Sequence, residues 1–261
     1  MNKAFTLIEL AIAIIIIGLL AATISVGGKM IENAKIQRLG SELQEVETAF
    51  ITFRSIYNSL PGDMQDAFAY FEAQDCGFAA EDSNGGTQAE RCNGDGDGNI
   101  VGSGTGALEL CREEHKFWNH LYHAELVTSI IPSCSATLTS KKYNLATISP
   151  FYYDATTNLD LGRVNVLRVG RQRSDLITAN EYATYQNEGK LLNPQKAKSI
   201  DIKYDDGVAY SGRIQAFNGY DASSNQDGNC SSDTVNAAND TDYQLAEELA
   251  ECFLLYRLED I

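Results

Sequence analysis

The chain has 261 residues, enough for one good-sized core or a core with an appendage, but short for two full domains. Asp and Glu number 36 against 20 Lys and Arg, and no Lys/Arg-rich run occurs, which argues against nucleic acid as a partner. Only four prolines and an ordinary aromatic content mark a chain that mostly folds.

The first element decides the class. From Leu10 to Val26 the sequence reads LAIAIIIIGLLAATISV without a charge. Extended back to Phe5, the run covers residues 5–26 and makes about 33 Å of helix, the thickness of a hydrocarbon core. A cleaved secretory signal has a shorter apolar region ending at a small-residue cleavage site; here helical periodicity continues instead. One residue interrupts the run. A carboxylate such as Glu9 costs about 2.5–3.5 kcal/mol at a bilayer centre and less near an end. It either snorkels to the surface or meets a cation, and spacing alone leaves both open.

The stretch Lys3-Ala4-Phe5-Thr6-Leu7-Ile8-Glu9-Leu10, behind a short basic leader, resembles the processing and methylation site of type IV pilins and type II secretion pseudopilins. The resemblance implies that a membrane aspartyl prepilin peptidase cuts between Ala4 and Phe5 and methylates the new amine. Met1–Ala4 is then the leader, and Glu9 the fifth mature residue. Ala4 stands where the family usually has Gly, which implies slower cleavage. The resemblance also supplies a cation. An α-amine stays largely protonated at neutral pH, so the Phe5 amine of one subunit would meet Glu9 of its neighbour. Either charge alone is penalised in an apolar core, so the pair would set axial register more than add stability.

After Gly27-Gly28 the pattern turns amphipathic. Ile36, Leu39, Leu43, Val46, Phe50, Phe53 and Tyr57 recur at alternating spacings of three and four, with Lys35, Arg38, Glu42, Glu45 and Glu47 largely off that stripe. Together the halves form one helix over 5–57, ended by Leu60-Pro61-Gly62-Asp63. A short helix is expected over Met64–Phe71, a Gly/Asn/Asp-rich loop over Cys76–Gly106, and a helix over Leu108–Val127. Strands are expected at Asn165–Val169 and Arg213–Phe217. A helix capped by Asn193-Pro194 should run to Tyr204 and stop at Asp205-Asp206-Gly207. Asp221–Asp242 reads as a polar loop, and Tyr243–Leu258 as helix, strand, or one of each.

Further pieces resemble a pilin-like subgroup: an LPGD turn at Leu60–Asp63, an NGDG loop at Asn93–Gly98, an FW-x-HL helix at Phe117–Leu121 and a DDG turn at Asp205–Gly207. The implied fold is α+β, pilin-like: a long N-terminal helix, half transmembrane and half amphipathic, packed on an antiparallel β-sheet head. Residues 1–4 are the leader and 58–261 a periplasmic head on a single-pass inner-membrane anchor, later incorporated into a pilus or pseudopilus. Implied partners are copies of itself or other pilins, the peptidase, an inner-membrane assembly platform and the lipid bilayer. The rival readings are a membrane-tethered adhesive or ligand-binding module and a signal-anchored periplasmic enzyme. No G-x-S-x-G, phosphate loop or Ser/His/Asp set favours the enzyme.

The strongest candidate for a bound ion is Asn93-Gly-Asp95-Gly-Asp97-Gly-Asn99-Ile100. Oxygen side chains at alternate positions, with Gly sixth and Ile eighth, match the first half of an EF-hand calcium loop. Side chains of Asn93, Asp95 and Asp97 and the carbonyl of Asn99 would be ligands. Position twelve is Gly104, so the bidentate Glu is missing unless Glu109 or an upstream carboxylate completes the shell. A plain Asx/Gly turn is the alternative; the resemblance to calcium-binding major pseudopilins favours the ion. His115, His120 and His123 are expected on a polar helix face beside a buried Trp118, with a metal shared by His120 and His123 as the lesser alternative; Asp201, Asp205 and Asp206 are expected at a solvated helix end, with a second cation site as the lesser alternative.

Six cysteines without a C-x-x-C spacing argue for disulfides formed in an oxidising compartment, and allow fifteen pairings. Cys230–Cys252 is the first assignment, since pilin-like heads often staple this C-terminal region. Cys76–Cys92 would span the Gly-rich loop, leaving Cys111–Cys134.

Overall fold

A computed structural model describes residues 7–71, 92–100, 113–128, 138–139, 147–154, 163–171, 189–219, 228–231 and 242–258. Helix α1, Leu7–Tyr57, is unbroken over 51 residues and passes straight through Gly18, Gly27 and Gly28. It stops where Asn58 takes a left-handed conformation (φ 51°) and returns its N–H to Arg54 O at 2.8 Å, ahead of the Pro61-Gly62 turn.

The two halves of α1 have opposite surroundings. In the first, large apolar side chains stand in the open, Leu7 at 88 % and Leu19 at 64 % exposure. In the second, Ile36, Leu39, Leu43, Val46, Phe50 and Phe53 are buried in the core of the head. The three-and-four spacing therefore marks the packed face. Glu47 departs from expectation. It is buried beside the stripe, ion-paired with Arg213 and accepting the Tyr256 hydroxyl at 2.8 Å. Arg213 in turn lies over the Tyr256 ring. A charged residue next to an apolar stripe points to solvent only when the neighbouring element brings no counter-charge, and here it does.

Helix α2 covers Ala67–Phe71, shorter than the expected Met64–Phe71, and α3 covers Glu113–His123. The expected start of α3 at Leu108 lies outside the described residues. Helix α4, Pro194–Tyr204, begins as expected: Asn193 caps it by accepting Lys196 N–H, and Pro194 opens the first turn. It lies along α1, where Gly40 makes room for Tyr204; a Cβ at Gly40 would sit 2.1 Å from Tyr204 Cε2.

Among the described residues, five strands form one antiparallel sheet: β1 Leu138–Thr139, β2 Thr147–Asp154, β3 Arg163–Gly170, β4 Ile214–Asn218 and β5 Cys252–Arg257, in the order β1-β2-β3-β5-β4. The register sets Leu167 opposite Tyr256 and Tyr256 opposite Ile214. With period-two alternation, Leu167, Val169, Ile214, Ala216, Leu254 and Tyr256 join the core shared with α1. Val164, Val166, Phe217, Phe253 and Leu255 form a second buried cluster. The tail thus resolves into a turn-rich stretch followed by a strand. Strand β2 was not among the expected strands, and Pro150 sits within it. The structure tolerates it because β1 pairs only as far as Ile148, so beyond that point β2 has β3 as its paired neighbour among the described residues.

Cys230 and Cys252 are joined, with Cα atoms 4.9 Å apart, tying the 228–231 segment to the start of β5. In the chain-entropy model such a loop contributes about 3 kcal/mol. Cys92 is also disulfide-bonded. The Cys76–Cys92 and Cys111–Cys134 assignments involve residues outside the described set.

Candidate functional site

Two regions carry the sequence-level candidates: the bare half of α1 and a cradle at the far end of the head. The cradle is built from the turn after α1. Gly62, at φ 93°, donates its N–H to His120 Nδ1 at 2.8 Å, and a Cβ there would meet Glu113 O at 2.4 Å. His120 Nε2 lies 2.8 Å from Cys92 O. Since Nδ1 accepts, Nε2 carries the proton, and the ring is the neutral tautomer. Burial pushes its pKa down to about 4, keeping it neutral. His120 is therefore a fully buried brace and not the polar-face residue expected from the helix pattern. His123 is half-buried beside Phe71. The side chain of His115 is outside the described set.

His120 thereby sets the Asn93–Ile100 loop against the LPGD turn. Gly94 N–H donates to Met64 O at 2.8 Å. The Asp63 carboxylate then accepts three loop N–H groups, from Gly96 at 2.5 Å, Asp97 at 3.1 Å and Gly98 at 2.9 Å. Helix α3 holds the other side, with Glu113 Oε1 accepting Asp95 N–H and Lys116 donating to Asn93 O. Strand β3 closes the end: Asn165 accepts Ile100 N–H at 2.9 Å and donates to Gly98 O at 3.2 Å. The LPGD, NGDG and FWNHL segments are thus one interlocked unit, while the DDG turn lies elsewhere.

The cradle is acidic. Asp63, Asp95, Asp97 and Glu113 can each present one oxygen such that all four lie within 4.8 Å of one another. Burial, reinforced by Asp95 and Asp97, pushes the Asp63 pKa up to about 6 against the opposing N–H bonds of Gly98 and Gly96. Of the four EF-hand-like residues, the structure brings together Asp95 and Asp97. Asn93 Oδ1 instead accepts Phe68 N–H at 2.9 Å, and Asn99 N–H donates to Asp97 Oδ1 at 2.8 Å. Asp63 and Glu113 complete the group from outside the loop. Asp63 is an upstream carboxylate of the kind expected; Glu113 had no motif to reveal it, and Glu109 is outside the described residues. The donor set is hard oxygen throughout, which suits Ca²⁺.

The second acidic group is a turn staple. Asp201 is fully buried, not solvated as expected, and accepts Tyr243 Oη–H at 2.6 Å and Gly207 N–H at 3.0 Å. Asp205 accepts Arg213 and Ile214 N–H groups, and Asp206 accepts Val208 N–H and the Ser211 hydroxyl.

At the other end of the molecule, Glu9 lies on the exposed half of α1, while Ala4 and Phe5 are outside the described residues. Among the described residues no helix is long and apolar enough to cross a membrane. The fully described apolar run, Leu7–Leu20, makes about 21 Å of helix; the helical backbone and the apolar sequence continue together to Val26. No curated protein and no solved structure matches the chain. The family model described as the prokaryotic N-terminal methylation motif matches residues 1–25. The chain therefore opens with the N-terminal signature of type IV pilins and pseudopilins.

Proposed function

We propose that this chain is a structural subunit of a type IV pilus or type II secretion pseudopilus, anchored by residues 5–26 in the inner membrane before assembly. One observation carries the reading. The methylation motif sits on a helix whose first half is apolar and unpacked, while its second half is built into the head. An unpacked apolar helix of that length needs either lipid or other such helices around it, and a filament core supplies the second when the first is left behind. Glu9 is then the register residue, paired with the Phe5 amine of a neighbouring subunit. The head, residues 58–261, would face the periplasm, and its cradle would take a calcium ion through Asp63, Asp95, Asp97 and Glu113. Bound calcium would supply positive charge among crowded carboxylates; the chain's own part is to hold those oxygens in place through His120, Lys116 and Asn165.

Intact-mass measurement of the chain extracted from membranes tests the processing that this role requires. The expected product lacks Met1–Ala4 and carries one methyl group on Phe5. A chain that keeps its leader in cells with active prepilin peptidase would refute the proposal.

A further inference from the structure

One end of the head lies toward the unpacked half of α1. Helix α4 runs in the same sense as α1: Lys196 pairs with Glu32 at one end, and Tyr204 donates to Gln37 O at 3.1 Å and covers Gly40 at the other. Strand β5 agrees. Cys252 N–H bonds to Leu192 O at 2.8 Å, just before α4, while Tyr256 reaches Glu47 further along α1. The start of α4 and the start of β5 therefore both lie toward the unpacked half of α1.

The turn-rich stretch before β5 is at this end. Gln195 donates to Leu245 O at 2.8 Å and Asn193 to Glu248 O at 3.3 Å. On it Leu245 is 44 % and Leu249 70 % exposed, while Met30 and Ile31 of α1 stand more than half exposed on the helix entering the same end. Glu32 is only about 9 Å along the helix from Val26, the last residue of the apolar run. Charge distribution distinguishes this end further. Glu32 is paired with Lys196, Glu251 with Lys190 at 3.1 Å, and Glu247 accepts Asn229 Nδ2. In a chain with net charge −16, Glu32 and Glu251 at this end are matched by lysines, with Glu248 exposed between the two leucines, whereas the cradle at the opposite end gathers four carboxylates.

We propose that Met30, Ile31, Leu245 and Leu249 form a lipid-contact rim that seats the head on the interfacial layer of the bilayer while the chain is anchored. The inference rests on the anchoring step of the proposed function. Apolar side chains held about one to two helical turns beyond the spanning run sit at headgroup depth, where partly apolar surfaces with charged edges are accommodated. The rim orients the head before extraction and is freed from lipid on assembly.

Depth-dependent quenching tests it. The full chain carrying Leu249→Trp, and separately Leu245→Trp, is reconstituted into phosphatidylcholine vesicles brominated either near the headgroup or near the chain ends. Native Trp118 is buried and gives a constant background. Ile16→Trp reports the anchor, and Tyr70→Trp, exposed beyond the end of α1, reports the far pole. The expected result is loss of emission at both rim positions with shallow bromine, at Ile16→Trp with deep bromine, and at Tyr70→Trp with neither. Quenching at Ile16→Trp but at neither rim position would overturn the rim alone and leave that surface to a neighbouring subunit. No quenching at Ile16→Trp would overturn the anchor and the rim with it.

Discussion

Replacing Gly40 with alanine separates helix propensity from packing, because the two act with opposite sign. In an isolated helix the change stabilises by about 1 kcal/mol. Here the added methyl would meet Tyr204 Cε2 at 2.1 Å, well inside contact distance, so the ring must move by more than an ångström. That movement breaks the 3.1 Å bond from Tyr204 to Gln37 O, worth about 1 kcal/mol, and overpacks the α1–α4 contact at about 1–3 kcal/mol. The net expectation is destabilisation of about 1–3 kcal/mol, or a fall of about 3–10 °C in melting temperature for a head of this size. In a Tyr204→Ala background the obstruction is gone, and Gly40→Ala should raise the stability by about 1 kcal/mol. Thermal unfolding of the detergent-solubilised chain, read by near-ultraviolet circular dichroism across the four-member cycle, measures both. Stabilisation by Gly40→Ala in both backgrounds would show that α4 does not dock at Gly40.

Asp201 gives a pH dependence. Burial raises its folded pKa from 3.8 to about 6, so its favourable contribution is full below about pH 3.8 and is lost as pH rises through 6. The loss is at most about 3 kcal/mol and about 1–2 kcal/mol after solvent screening. Asp201→Asn can still accept Gly207 N–H and can donate to the Tyr243 oxygen, so denaturant titrations of this variant should be flatter between pH 4 and 7 than those of the native chain; identical pH profiles would reject the assignment. Glu47→Ala leaves Arg213 and the Tyr256 hydroxyl without their carboxylate and should cost about 2–4 kcal/mol in urea unfolding, the partial exposure of Arg213 moderating the loss. Calcium at about a hundredfold over its dissociation constant should stabilise the head by about 2.7 kcal/mol, and Asp95→Asn/Asp97→Asn should abolish the shift; equal melts with calcium and with chelator would reduce the cradle to a hydrogen-bonded turn.

How far these features can be read from the sequence depends on the range of the contact. The packed stripe from Ile36 to Phe53 is legible because neighbours on one helix face recur at fixed spacing. The Asn193 cap and Pro194 start are legible for the same local reason. Glu47 misleads because its counter-charge, Arg213, arrives from just before β4, across more than 160 positions. Asp63 is visible only as an unnamed upstream carboxylate, and Glu113 not at all, because an EF-hand pattern directs attention to oxygens within the loop, whereas here the loop wraps its N–H groups around a carboxylate from another turn. His120 looks solvent-facing on helical pattern alone; its two backbone partners, Gly62 and Cys92, become neighbours only after folding. Strand β2 carries Pro150, whose missing donor matters only where a second strand would need it.

Assembly through the bare half of α1 is tested most directly by a photo-crosslinking residue at Ile16 in cells that make filaments, with products analysed from the sheared filament fraction. The expected result is a crosslink between the N-terminal helices of neighbouring pilin-like subunits, dependent on active prepilin peptidase and much reduced by Glu9→Ala. Recovery of the processed chain in membranes alone, with lipid adducts at Ile16 and no subunit crosslink, would contradict the role of a filament subunit.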